Sequence, residues 1–404
     1  MHLKFIVLFS FILLSIISCK KEQKPIAEKE VVSSSTDYQL KQSSFPFEAY
    51  VKYTGLRFRE SGKTHLSYEM NLHNSFEVAV KLTEVSIRDM DNPEKSIQTY
   101  DANYFSQYFE RPGKEVSESH SIEPSGFGVL YIDLSFPDSV PAPKKLFHRI
   151  KFQVKLAEDN IIDTGIEAAV FDVPEVTSKV LSPPFRNGNW MYVSTHHRDT
   201  RAIFEGEVHI TQRHAIDWVA IDDDGIYVTG DRSKNESWYT YGKEVLAMAD
   251  GTILGIKDSI PENIPEADEM AVRMTRENFG GNWVLLDIGD ELEVFYAHLI
   301  PGSLRVKPGD KVKKGDVLGL LGNSGNSDLA HLHMHLETNA GGVVKGEGLP
   351  FHFKQYKQLD NFSEEYMDNH IWNKNKWESS GHIKPSIRYN EYPRGEGVVE
   401  FFDE

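Results

Sequence analysis

Apolar and polar positions alternate through much of residues 45–172. Leu66, Tyr68, Met70 and Leu72 interleave with Ser67, Glu69 and Asn71, and the same period of two returns in Leu130, Ile132, Leu134 and Phe136 and in Ile150, Phe152, Val154 and Leu156. Successive strand side chains point to opposite faces, so each run predicts a half-buried strand. Asn92-Pro93, Pro124-Ser125-Gly126 and Pro141-Ala142-Pro143 supply turns between the runs. Short strands separated in this way predict an antiparallel sandwich of immunoglobulin-like type over 45–172. It holds no catalytic constellation, so its expected role is positioning or binding an envelope protein partner, set against that of an inert spacer.

Val173-Pro174 and Ser182-Pro183-Pro184 interrupt the pattern, because proline stops central strands and helices alike. A second, mostly β domain is expected over 179–357, with an extension over 358–404 that contains Trp372, Trp377 and Tyr389 among polar residues. Gly242 to Ile253 reads as strand, turn, strand; Gly281 to Asp287 and Phe295 to Leu299 read as a hairpin. The stretches Ile221 to Tyr241 and Ile260 to Pro265 exceed what a minimal sheet needs, and groove walls are their expected role. The most specific alternation is His331-Leu332-His333-Met334-His335-Leu336-Glu337, which puts three imidazoles on one face of a strand. Imidazole is the commonest protein metal ligand and titrates nearest neutrality, so the row suits a metal-and-base pair.

The N-terminus changes the picture next. His2 and Lys4 precede an almost unbroken apolar run from Phe5 to Ile17, too short to span a bilayer as a stable helix. Ile16-Ile17-Ser18-Cys19 resembles a bacterial lipobox, which implies a signal peptide over 1–19 and acylation at Cys19, the single cysteine of the chain. Lys20 to Ser44, rich in Lys, Glu, Gln and Ser, is too polar to order itself and is expected to be a disordered tether. These features point to a lipid-anchored protein of the cell envelope, periplasmic or on the outer membrane. A formal net charge of −17 over 404 residues excludes a broad nucleic-acid footprint.

Between Val245 and Glu337 the motifs Ala249-Asp250-Gly251, Gly281-Asn282, Tyr296-Ala297-His298-Leu299, Lys313-Lys314-Gly315, Gly322-Asn323-Ser324-Gly325 and His331-Leu332-His333 follow one another in order. In that order they resemble the lysostaphin-type, LytM-like zinc metalloendopeptidases, which cut peptides of bacterial cell walls. The resemblance implies an antiparallel β-sheet domain with a groove and one Zn2+ per chain. It implies Asp217 and His333 as metal ligands, His331 as general base and His298 as the other catalytic histidine. The substrate it implies is peptidoglycan peptide.

The chain departs from the family at the first ligand. The common pattern is His-x-Gly-x-Asp, whereas Arg213 and Ala215 stand here in the places of histidine and glycine. Arginine stays protonated and cannot bind zinc. The sequence resembles a divergent branch with Gln-Arg-x-Ala-x-Asp and an upstream His-Arg, which implies His197 as third ligand, with His196, His209 and His214 as the other candidates. His214 should point away from Asp217, Arg213 should pair with a carboxylate of protein or substrate, and His335 should support the ligands or touch substrate. The contrasting expectation is an inactive family member that acts as a scaffold or as an activator of cell-wall amidases.

Overall fold

The computed structural model describes residues 40, 47–111, 120–157, 160–177, 179–194, 202–204, 207–339 and 345–402. The first β layer is a five-stranded sheet in the order Phe47–Val51, Lys63–Asn74, Phe127–Pro137, Phe109–Glu110, with Phe58–Glu60 paired to Lys63–Asn74. A second five-stranded sheet runs Asn160–Asp172, Lys145–Ala157, Val80–Asp89, Asn92–Tyr100, with Ser121–Ile122 on Val80–Asp89. Leu66, Tyr68, Met70 and Leu72 from the first sheet meet Val85, Ile87, Ile150 and Phe152 from the second in one core. The two sheets therefore pack face to face along the apolar sets that the period of two picks out. The run ends sooner than the sequence suggests, since Leu156 is 52% exposed near the tip of its hairpin.

The middle of the polar face of Lys63–Asn74 is shielded from solvent. Glu69 and Asn71 are both buried, because that face packs against the following domain within the compact unit Tyr38–Glu404. Phe58 belongs to the core of the large sheet, where its ring meets Tyr392 edge-on. The Arg59 amide donates to His352 Nε2 at 2.9 Å, and the Tyr392 amide returns a bond to the Arg59 carbonyl at 2.9 Å.

The large sheet has twelve strands. Its middle runs Gly188–Val193, Ile216–Ile221, Leu332–Thr338, Leu292–Leu299, Asn282–Asp287, Gly251–Lys257. All of its pairings are antiparallel except that of Val180–Leu181 with His352–Phe362. Residues beyond 357 enter this sheet: Glu396–Phe401 lies between Gly188–Val193 and His352–Phe362, which also pairs with Ser386–Glu391. Trp372 packs edge-on against Tyr227 and Trp377 donates to Asp360, whereas Tyr389 is exposed. Ile216, Trp218, Leu332, Met334, Leu336, Val294 and Tyr296 fill the main core. The residues between them consequently face the opposite side, where the groove lies.

Candidate active site

Three neighbouring strands carry the site. Asp217 is directly opposite His333, and His333 is directly opposite Ala297 on its other flank. His333 Nδ1 stands 2.8 Å from Asp217 Oδ1, and His331 Nε2 stands 3.7 Å from Asp217 Oδ2. The His298 ring lies 4.7 Å from that of His331 and 5.9 Å from that of His333. Asp217, His298, His331 and His333, far apart in sequence, thus converge on one side of the sheet.

His298 reaches that side by breaking the alternation of its own strand. Val294, Tyr296 and Leu299 all point into the main core, so a regular strand would bury position 298 with 296. Instead His298 adopts a φ of 66°, the left-handed region that L-residues seldom occupy. Its amide donates to the Gly280 carbonyl, its own carbonyl accepts from Gly322, and Nδ1 lies 2.7 Å from the Ser324 carbonyl. A carbonyl only accepts, so Nδ1 carries the proton and Nε2 presents a lone pair in the neutral ring. Burial, with His331 and His333 alongside, holds the His298 imidazole well below its ordinary pKa.

The motif loops build this cradle. Ser324 Oγ accepts from the Asn282 amide and donates to the Leu299 carbonyl. At Gly325 a Cβ would lie 2.2 Å from the Gly281 nitrogen, so the glycines of the two motifs are required for their backbones to touch. Glu262 accepts from Tyr241 on one oxygen and from the Asn323 amide on the other. The two long stretches expected as walls accordingly meet above the Gly322–Gly325 turn.

Behind His333 the polar row continues inward. His333 Nε2 is 3.1 Å from His335 Nδ1, and His335 Nε2 is 3.6 Å from Glu337 Oε1. His335 and Glu337 are fully buried, and Glu293, directly opposite Glu337, is nearly so. Burial pushes the Glu337 carboxyl up to about 8, and burial together with Glu337 and Asp287 pushes Glu293 up to about 7. The sequence reading missed Glu293, which faces this side because Val294 and Tyr296 point into the main core. His335 orients His333 and does not open onto the groove.

The other candidates go elsewhere. His214 is packed edge-on against Phe58 and Tyr392. His209 Nδ1 pairs with Glu347 Oε1 at 2.9 Å. Arg213 is held by Glu69 and Glu347. His196, His197 and Cys19 lie outside the described residues.

Whether these side chains suit a zinc ion can be judged from the donors. Two ligands of a tetrahedral zinc, each about 2.0–2.1 Å away, lie roughly 3.3 Å apart. The 2.8 Å gap between His333 Nδ1 and Asp217 Oδ1 needs to open only slightly. For His333 to offer Nδ1 to a metal, its proton must sit on Nε2, where His335 Nδ1 can accept it. Two ligands therefore fit. Among the described residues, no three His, Cys, Asp or Glu side chains form a metal site by themselves.

Residues 238–344 match the sequence profile of Peptidase family M23. Endolysin 2638A of Staphylococcus phage 2638A is 47% identical over 62 residues, which are 15% of this chain and 13% of that protein's length. Among solved structures, the catalytic domain of the prophage-encoded M23 protein EnpA from Enterococcus faecalis, in a mutant form, is 21% identical; the match covers 43% of this chain and 88% of that one with a TM-score of 0.22. The catalytic domain of lysostaphin from Staphylococcus simulans is 24% identical over 30% of this chain and 84% of its own, with a TM-score of 0.20. A zinc containing peptidase from Vibrio cholerae is 13% identical over 71% and 82%, with a TM-score of 0.24. Asp217 precedes the matched stretch, but the His333 strand that it pairs with lies within it, and the chain thus carries a Peptidase M23 domain that holds His298, His331 and His333.

Proposed function

We propose that this chain is a zinc-dependent endopeptidase that hydrolyses peptide bonds of bacterial cell-wall peptidoglycan, tethered to the envelope by lipid at Cys19. The observation that carries the reading is the cross-strand pair Asp217–His333 at 2.8 Å with His331 and His298 beside it. On this reading Asp217, His333 and His197 hold the metal. Val193 is directly opposite Asp217, and the described chain continues from it to Ser194. The sandwich over 45–172, the groove domain over 179–357 and the extension over 358–404 work as one envelope enzyme.

A zinc ion in such a site supplies a Lewis acid that makes water acidic near neutral pH. His331 is placed to take a proton: Nδ1 lies 2.9 Å from the Leu329 carbonyl, which leaves the Nε2 lone pair toward the groove. His298, kept neutral by burial, presents its own Nε2 lone pair and orients the attacking water. His335 holds the His333 ring in place. The match to a phage endolysin supports a cell-wall substrate.

A second reading has a specific observation in its favour. Arg213 occupies the family's first ligand position and is committed to Glu69 and Glu347, which suits a scaffold or an amidase activator that has lost catalysis. Metal analysis of the full chain separates the two. We expect one zinc per parent chain, and loss of zinc and hydrolysis in His333→Ala and Asp217→Ala with the fold retained. Full zinc occupancy in either variant removes that residue from the ligand set, and a zinc-free parent that still activates an amidase leaves the scaffold reading.

A further inference from the structure

Arg213 is the residue that the resemblance leaves without a task, and the structure gives it four hydrogen bonds. Nε and Nη2 form a fork to the two carboxylate oxygens of Glu69, at 3.0 and 2.8 Å. Nη2 also reaches Glu347 Oε2 at 3.1 Å, and Nη1 donates to the Gly348 carbonyl at 3.2 Å. Its guanidinium lies 5.0 Å from the centre of the Tyr53 ring. The side chains of Arg213 and Glu69 are only 2% and 8% exposed. Burial opposes the charge on Arg213, but Glu69 and Glu347 more than offset it and hold the guanidinium protonated.

The position of this knot matters more than its strength. Glu69 lies on the sandwich strand Lys63–Asn74, next in its sheet to Phe127–Pro137. Arg213 lies in the turn that opens the Asp217 strand, where the Ala215 amide bonds to the Gln212 carbonyl. Gly348 belongs to Gly348–Leu349, which pairs with Leu336 and Glu337 of the histidine strand. One guanidinium thus ties the N-terminal sandwich to the turn that leads into the Asp217 strand and to the short strand paired with the His333 strand. We propose that Glu69 is a positioning residue of the site: through Arg213 it fixes the spacing of Asp217 and His333, so the sandwich is a working part of the metal centre. The proposal rests on the zinc reading for its consequence, but its structural half stands apart from it.

The test uses the full chain with Glu69→Gln, Arg213→Lys and the swapped pair Glu69→Arg/Arg213→Glu. Asp133→Asn is the control, because it weakens a separate ion pair to Arg394 between the same two parts. Zinc affinity is read by chelator competition, ligand geometry by the absorption of the cobalt-substituted chain, and the turn by amide exchange over residues 210–219. Partners that orient metal ligands typically change affinity about 10–100-fold, so Glu69→Gln should weaken zinc by about tenfold or more, alter the cobalt spectrum and speed exchange over 210–219. The swap should recover part of the loss, and Asp133→Asn should leave all three readouts near the parent. Zinc affinity within about twofold of the parent, or no change in exchange, overturns the proposal. If the parent binds no zinc, the functional reading fails, and unchanged exchange in Glu69→Gln then overturns this one separately. Should Glu69→Gln not fold, Arg213→Lys, which keeps the charge and loses the fork, is read by the same criteria.

Discussion

His298 shows how much one backbone angle can decide. At a φ of 66° the imidazole leaves the core face of its strand and enters the groove, and three hydrogen bonds hold it there. Strain of this kind is sustained only where the surroundings over-determine it. The left-handed region costs a residue with a Cβ about 1–2 kcal/mol, a cost that glycine avoids. We therefore expect His298→Gly to be more stable than His298→Ala by about 1 kcal/mol, while both lose roughly two to four powers of ten in turnover and keep the metal. Denaturant unfolding of the two variants decides the first part. Equal stability would show that the backbone at 298 relaxes once the imidazole is gone.

At the scale of the strand, the histidine row is one end of a polar file that runs from the groove into the protein. Glu337 closes it, fully buried, with its carboxyl pushed up to about 8 from an ordinary 4.5. Because this pKa is raised, the folded chain binds more protons than the unfolded chain between about 4.5 and about 8. The contribution is complete below the lower value and is lost as pH rises through the upper one. Glu337→Gln removes the titration, so the variant should gain stability relative to the parent as pH rises from about 5 to about 9, with an upper bound of about 5 kcal/mol. Melting curves of the metal-free proteins across that range provide the check. A variant-minus-parent difference that is flat with pH would place the Glu337 carboxyl in its usual range. The same file gives the His333 ring a fixed orientation, which an isolated His-Leu-His pattern could not supply.

Across the whole molecule, Phe58 in the core of the large sheet and Glu69 on Arg213 make the sandwich part of the body that carries the groove. The attachment of this body to the envelope is a proposal that rests on Cys19 and the apolar run before it. Cys19 is the single thiol, and the residues after it are polar. Cys19→Ser should therefore move the protein from the membrane fraction to the soluble one, since acyl chains would be its anchor. Retention of the substituted protein in membranes would point to an uncleaved apolar segment.

Several features were legible in the sequence because they depend on local rules. Period-two alternation located the sandwich strands and set His331, His333 and His335 on one face, since strand geometry fixes side-chain direction whatever lies nearby. Cross-strand neighbours were not legible. The resemblance put Asp217 and His333 on one metal, but that they are directly opposed, that His214 turns to Phe58 and Tyr392, and that Glu69 is buried on Arg213 depend on register and on how the two parts pack. A solvent-facing glutamate and one buried against an arginine from another domain look alike in sequence. The difference lies in desolvation and pairing across 144 residues of chain, which only the tertiary structure brings together.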